Sequence, residues 1–227
     1  MTTKFNDFVI RFANVNGSGS ASANGMFAKA LFRMGIPVAT RNIFPSNIQG
    51  LPTWFEVRVS EQGYLGRREG VDIMVAMNAE TFAEDIASIL PGGYLLYDNS
   101  KPLPQSMARD DIHEIGIPIA NMMLPEFADP KQRSLFKNIT YLGAMAGLLN
   151  IEFDVITGMV ATQYKGKDAL IEPNIRALEL GRDYALEYLQ APLPLQVRRS
   201  DAVGDRIMMD GNDAAGLGSL YGGATVC

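Results

Sequence analysis

The sequence is poor in the residues that build metal and redox centres. One cysteine, Cys227, and one histidine, His113, occur in 227 residues. A lone thiol closes no internal disulfide, and an iron–sulfur cluster needs about four thiolates. A single imidazole excludes a multi-histidine metal site. No G-x-S-x-G is present, so His113 has no nucleophile elbow to serve. Basic residues are also in the minority. Twenty Lys and Arg against 25 Asp and Glu give a formal net charge of -5, which argues against nucleic acid as a partner. The longest apolar stretch, Tyr141 to Leu149, is far short of the roughly 18 residues of a membrane span. Met1 to Arg11 has no apolar run followed by a small-residue cleavage site. No internal repeat or low-complexity segment stands out. A cytoplasmic protein without a membrane partner or resident metal is the expectation.

What remains is the composition of an ordinary globular protein, 47% apolar and 20% charged. Phe8 to Ala13 has the pattern of a buried strand, followed by the small, glycine-rich Val15 to Ala21. A helix with Phe27, Leu31 and Met34 on one face comes next, stopped by Gly35 and Pro37. Val38 to Ile43 is a candidate strand. Trp54 to Ser60 alternates in period two, with Phe55, Val57 and Val59 opposite Trp54, Glu56 and Arg58. Val71 to Met77 is a near-continuous apolar run, the pattern of a strand buried on both faces. Ala79 to Leu90 predicts a helix, Pro91-Gly92-Gly93 a turn, and Tyr94 to Asp98 and Ile112 to Ile119 two more strands. The expected class is α/β, with a mainly parallel sheet and flanking helices.

From Lys131 the pattern turns helical, with candidates at 131–150, 154–164 and 174–190. Ala191 to Asp205 holds two prolines and no periodicity, which predicts a linker. Ile207 to Cys227 then predicts a strand, a turn and an opening helix, the start of a second α/β domain. The expected division is 1–190, a linker at 191–206, and 207–227.

Three segments could carry chemistry. Asn16-Gly17-Ser18-Gly19-Ser20-Ala21-Ser22 lies between a strand and a helix, where small residues and free helix N–H groups suit a diphosphate. A tight turn packing helix on sheet explains the same residues, and the spacing departs from G-x-G-x-x-G. Phe44 to Trp54 is a long loop whose prolines stiffen it and whose Ser46, Asn47 and Gln49 present donors and acceptors; a surface loop capped by Trp54 is the alternative. Asn78 follows the apolar strand at its carboxyl end, where open α/β sheets bind ligands, although a helix N-cap would also place an asparagine there. Arg67-Arg68 could grip a phosphate or sit on a solvated hairpin. His113, Asp72 and Asp98 read as structural, and the methionines as core filler.

The segments VNGSGSASANGMFAKALFRMGIPV, FPSNIQGLPTWFEVRVS, GYLGRREGVDIMVAMNAETF and PGGYLLYD, in that order, resemble the gamma-type domain of 2-oxoacid:ferredoxin oxidoreductases. More narrowly, they resemble the subfamily that fuses this domain ahead of the alpha, thiamine-type domain, in which 2-oxoglutarate is a common substrate. The likeness spans Phe8 to Leu189, and MDGNDAAGLGSLYGGATV resembles the opening of the alpha domain. The resemblance implies a hetero-oligomeric enzyme that decarboxylates a 2-oxoacid, captures the acyl group on coenzyme A and reduces ferredoxin. It further implies a beta subunit that holds thiamine diphosphate and the iron–sulfur cluster. The paucity of cysteine agrees with that division of labour. By position, Gly17, Ser18, Gly19, Ser20, Ser46, Asn47, Gln49 and Asn78 are then candidates for coenzyme A or active-site contact, with no catalytic residue and no metal ligand assigned. Two departures are visible. The GxGGxG turn of stand-alone gamma subunits is replaced by Gly17-Ser18-Gly19-Ser20-Ala21-Ser22, and Asp210-Gly211-Asn212 lacks the spacing of a thiamine diphosphate signature. A non-catalytic nucleotide- or coenzyme A-binding regulatory or assembly module is the alternative reading.

Overall fold

Apolar runs of six to ten residues alternate with amphipathic stretches through the first half of the chain, and the computed structural model turns that alternation into a layered α/β body. It describes residues 3–46 and 48–225. In chain order these form β1 (Lys4–Phe5), β2 (Asp7–Val15), α1 (Ser20–Arg33), β3 (Val38–Ile43), β4 (Pro52–Ser60), β5 (Val71–Ala76), α2 (Phe82–Ala87), β6 (Ile89–Asp98) and β7 (His113–Ile117). The rest comprises α3 (Ile119–Glu126), α4 (Pro130–Leu149), α5 (Phe153–Gln163), α6 (Ile171–Tyr188), β8 (Leu195–Gln196) and α7 (Gly211–Tyr221).

Six strands form one sheet in the order β3-β4-β2-β5-β6-β7. β2, β5, β6 and β7 are mutually parallel, and only β4 runs against its neighbours β2 and β3. The mainly parallel α/β class expected from the sequence is what forms. The period-two reading of β4 also holds, because Val57 and Val59 enter the main core while Trp54 packs against the smaller cluster on the opposite face.

The main core lies between one face of the sheet and α1, α4, α5 and α6. α4 and α6 pack backbone to backbone. A Cβ on Gly143 would lie 1.9 Å from the Leu178 carbonyl oxygen, and one on Gly181 would lie 1.9 Å from that of Thr140. α1 ends at Gly35, as the sequence predicts. The Gly35 N–H donates to Phe32 O (2.9 Å) and the Ile36 N–H to Leu31 O (3.2 Å), the paired bonds of a Schellman cap, with Gly35 at φ +77°.

Four sequence-based expectations need correction. The helix expected over 79–90 shrinks to the six residues of α2. Pro91-Gly92-Gly93 is a bulge inside β6 and no turn: pairing passes from Val71 opposite Ile89 to Ile73 opposite Tyr94, so three extra residues loop out, and the Gly92 N–H is satisfied by Asp111 O (2.6 Å). α3 was not foreseen, since its eight residues include Pro125 and are too few for a clear period. Residues 207–210 form no strand, and α7 follows them directly with every residue exposed.

Residues 191–205, read as a linker, are packed on the body. Leu193, Leu195, Val197 and Val203 are buried, and β8 pairs in parallel with β1. The Ser200 N–H donates to Met34 O (2.9 Å), so the segment crosses the end of α1. There Gly35 is needed twice, because a Cβ would lie 1.8 Å from Ser200 O.

Candidate functional site

β2 lies between β4 and β5 in the sheet, so the loop that enters β4 and the segment that leaves β5 flank its carboxyl end. At its carboxyl end the chain turns through Gly17 (φ +82°) and Gly19 (φ +80°), left-handed conformations that glycine adopts without a Cβ clash. The Ser18 N–H closes the turn on Val15 O (3.2 Å), and Asn138 of α4 donates its side-chain N–H to Ser18 O (2.8 Å). Gly19 is the N-cap of α1 and supplies no side-chain cap, so the first N–H groups of the helix have no side chain stationed on them. Ser20 is buried, and Ser18 has a buried Oγ with no hydrogen-bond partner among the described residues.

The loop between β3 and β4 folds onto this turn. The Asn16 N–H donates to Leu51 O (2.8 Å), the Gly50 N–H to Asn16 O (3.0 Å), and Asn16 Nδ2 to Ile48 O (3.1 Å). Gln49 lies over Gly17 so closely that a Cβ on Gly17 would be 2.7 Å from Gln49 Cγ. Gly17 and Gln49, 32 residues apart in the chain, are thus in contact. Ser46 Oγ accepts from the Ile48 N–H (3.2 Å) and shapes its own loop. Asn47 lies outside the described residues, as does Cys227.

Asn78 sits one strand over. The Met77 N–H donates to Ala13 O (2.9 Å), which carries the pairing with β2 one residue past the end of β5. Asn78 is only 4% exposed; its Oδ1 accepts from the Glu80 N–H (3.1 Å), while Nδ2 is buried without a partner among the described residues. It does not cap α2, whose N-cap is Thr81. A buried amide with an unused donor costs about 1–3 kcal/mol unless something accepts from it.

Two polar networks that sequence reasoning missed support these loops. Under the glycine turn, Asn24 Nδ2 donates to Asn14 Oδ1 (3.1 Å), and the Tyr141 hydroxyl donates to Asn24 Oδ1 (2.7 Å). All three side chains are buried, and burial pushes the Tyr141 hydroxyl pKa upward so that it stays a proton donor. The signal was an asparagine inside the apolar face of a helix, which period alone does not distinguish from a solvent position. Across the sheet, Asp85 of α2 accepts from Trp54 Nε1 (2.7 Å) and Thr81 Oγ1 (2.7 Å). Burial raises the Asp85 pKa above the ordinary 3.8, and the hydrogen bonds from Thr81 and Trp54 work against that rise.

A cavity of about 370 Å³ opens beside the glycine turn, lined by Gly19, Ser22, Met26, Leu135, Phe136 and Tyr164 among others. It is mostly apolar, with the α1 N-terminus on its rim. A larger cavity of about 690 Å³ lies at the opposite, amino ends of β6 and β7, where His113 stacks on Tyr94 (5.0 Å between ring centres). Arg68 is paired with Asp72, whose carboxylate also accepts from the Val9 N–H (2.7 Å). That pairing takes Arg68 away from the phosphate-gripping role considered for it. Asp98 caps the start of α3, accepting from the Ala120 N–H (3.2 Å).

A parallel sheet whose central strand ends in a glycine turn into a helix defines an α/β protein of the class that binds ligands beyond the strands' carboxyl ends. Residues 9–184 match the family model described as pyruvate ferredoxin/flavodoxin oxidoreductase, and the chain belongs to that family. It is 23% identical to 2-oxoacid:ferredoxin oxidoreductase 2, subunit alpha, from Aeropyrum pernix; the alignment covers 97% of this chain and 40% of that relative. Among solved structures it resembles the 2-oxoglutarate:ferredoxin oxidoreductase of Magnetococcus marinus, which has 2-oxoglutarate, coenzyme A and succinyl-CoA bound. There the TM-score is 0.81 at 27% identity, over 97% of this chain and 38% of that one. It also shares the fold of a keto/oxoacid ferredoxin oxidoreductase gamma subunit from Geobacter sulfurreducens, with a TM-score of 0.64 at 23% identity over 79% of this chain and 98% of that one. The chain therefore spans about two fifths of the length of the longer relatives and nearly the whole of a gamma subunit.

Proposed function

We propose that this chain is the gamma-type part of a 2-oxoacid:ferredoxin oxidoreductase and forms the coenzyme A-facing wall of its active site. The observation that carries the reading is that two features lie at the carboxyl ends of the neighbouring parallel strands β2 and β5: the Gly17–Gln49 contact, and the buried Asn78 donor that has no partner among the described residues. Gly17, Gly19 and Ser20 present backbone N–H groups at the start of α1 to phosphate oxygens of coenzyme A, and Ser18, whose own N–H is bonded to Val15 O, offers its buried hydroxyl. The neighbouring cavity of about 370 Å³ accepts the less polar part of the molecule. Asn78 Nδ2 and Gln49 donate to its carbonyl or phosphate oxygens, Ser46 shapes the loop that carries Gln49, and Asn47 is a further candidate contact.

The reaction is oxidative decarboxylation of a 2-oxoacid. Its carboxylate leaves as carbon dioxide, the acyl group is transferred to the thiol of coenzyme A, and the electrons pass to ferredoxin. The likeness to the Magnetococcus marinus enzyme supports 2-oxoglutarate as the acid and succinyl-CoA as the product. With one cysteine in the chain, these residues do not fit an iron–sulfur cluster, and thiamine diphosphate has no signature here. Both are assigned to a beta subunit in a cytoplasmic hetero-oligomer. On this reading the chain is inactive alone, residues 1–190 are the gamma-type domain, 191–206 the connection, and 207–227 the beginning of the alpha domain.

The test is an anaerobic purification of the complex from its native cell. Reduction of a low-potential dye is then followed with coenzyme A and either 2-oxoglutarate or pyruvate. Coenzyme A-dependent activity with 2-oxoglutarate and a rise of about tenfold or more in the coenzyme A KM for Gly17→Val are expected, the side chain colliding with Gln49. An eluate inactive with both acids would favour the regulatory or assembly module.

A further inference from the structure

Asp85 is a buried carboxylate, 1% exposed, and it has no salt-bridge partner among the described residues. Arg11, whose positive charge favours the ionised form of Asp85, is spent on Glu56, to which its Nε (3.1 Å) and Nη2 (2.7 Å) both donate. An ionised carboxylate held out of water without a paired charge is costly, and a fold needing only packing at this position could use a neutral side chain. What the carboxylate does have is one donor on each oxygen, from two different site segments. Trp54 Nε1 donates to Oδ1, and Trp54 lies two residues after Pro52, where the loop carrying Ser46 and Gln49 enters β4. Thr81 Oγ1 donates to Oδ2, and the Thr81 N–H donates to Asn78 O (3.3 Å), which closes the turn that aims Asn78. One carboxylate therefore ties the exit of the β3–β4 loop to the Asn78 turn.

We propose that Asp85 is a positioning residue for the ligand site: by accepting from Trp54 and Thr81 together it holds the β3–β4 loop and Asn78 in register with the glycine turn, and so sets the affinity for coenzyme A. This rests on the coenzyme A reading above. The carboxylate touches no ligand itself. A rigid carboxylate with two acceptor atoms can serve both donors at once, whereas an amide in its place offers one oxygen and turns its own N–H groups toward the other donor.

The experiment uses the intact complex with Trp54→Phe, which removes the indole N–H along with part of the ring but keeps an aromatic side chain against the smaller core cluster, Asp85→Asn, and the site variant Gly17→Val. The coenzyme A KM, the kcat at saturating coenzyme A, the 2-oxoacid KM and the thermal midpoint are measured for each. Trp54→Phe and Asp85→Asn are expected to raise the coenzyme A KM about tenfold, leaving kcat and the 2-oxoacid KM within about twofold, because an interaction common to ground and transition states has been loosened. If Asp85→Asn fails to assemble, Trp54→Phe decides. A lowered midpoint with an unchanged coenzyme A KM in Trp54→Phe would overturn the proposal and leave Asp85 a purely structural residue. Should Gly17→Val move that KM while Trp54→Phe does not, the site stands and the positioning role falls. Should none of the three move it, both fall.

Discussion

The two faces of the central sheet are built on different principles. On one, Phe8, Ile10, Phe12, Val57, Val59, Ile73 and Val75 meet four helices in a continuous apolar core. On the other, Val9, Ala13, Met74 and Ala76 lie under α2 and the segment before β7, and the cover is thin enough that Leu103 from a loop and Met107 from a single 3-10 turn complete it. The thin face also holds the largely buried Arg11–Glu56 pair and the lone carboxylate of Asp85. Apolar burial is non-directional and tolerant of small shifts, whereas a hydrogen-bonded carboxylate demands particular partners at particular places. The helical face therefore provides most of the stability, and the thin face provides much of the geometry at the carboxyl ends of the strands.

Perturbing each face in turn tests that contrast. The largest loss is expected for Gly181→Val on the helical side, where the new Cβ would lie 1.9 Å from the Thr140 carbonyl oxygen and α4 and α6 must part. Overpacking against backbone costs about 3 kcal/mol or more, so the thermal midpoint should fall steeply or soluble protein be lost. On the thin face, Glu56→Gln leaves the Arg11 guanidinium, with 14% of its side chain exposed, without a counter-charge. Breaking such a pair costs about 3 kcal/mol, which denaturant unfolding would detect as a lowered midpoint with an unchanged slope.

A smaller effect concerns pH. Burial raises the pKa of folded Asp85 above 3.8, so between 3.8 and that raised value the folded state holds a proton the unfolded state has released. Asp85 therefore makes stability decline as pH rises through that window, with no further change above it. Thermal midpoints measured across the acid range should show Asp85→Asn losing this part of the decline; an identical profile in variant and parent would refute it. Smallest of all is the exposed Arg199–Glu152 pair, with 53% and 44% of the side chains exposed. Glu152→Gln should leave the midpoint at 0.15 M salt where it was, since such pairs are screened by solvent and ions.

Much of this fold was legible because its signals are local. The alternation of Trp54 to Ser60, the apolar run from Val71 and the stop at Gly35 each depend on residues within one strand or one helical turn. The glycine turn and the Ser46–Gln49 loop were visible for the same reason, as was the position of Asn78 after a buried strand. The sequence also bounded the chemistry: one cysteine and one histidine leave no set of ligands for a cluster or a multi-histidine site. Tertiary structure alone decided which distant residues meet. Gly17 with Gln49, Ser18 with Asn138 and Gly35 with Ser200 are pairs that no periodicity encodes. The same holds for Asn24, Asp85 and the bulge at Pro91-Gly92-Gly93, whose residue types point locally to solvent, a helix surface and a turn. Their roles come from partners that only the packed sheet and helices bring within hydrogen-bonding distance, where an unmet polar group would be costly and a met one fixes the geometry of the site.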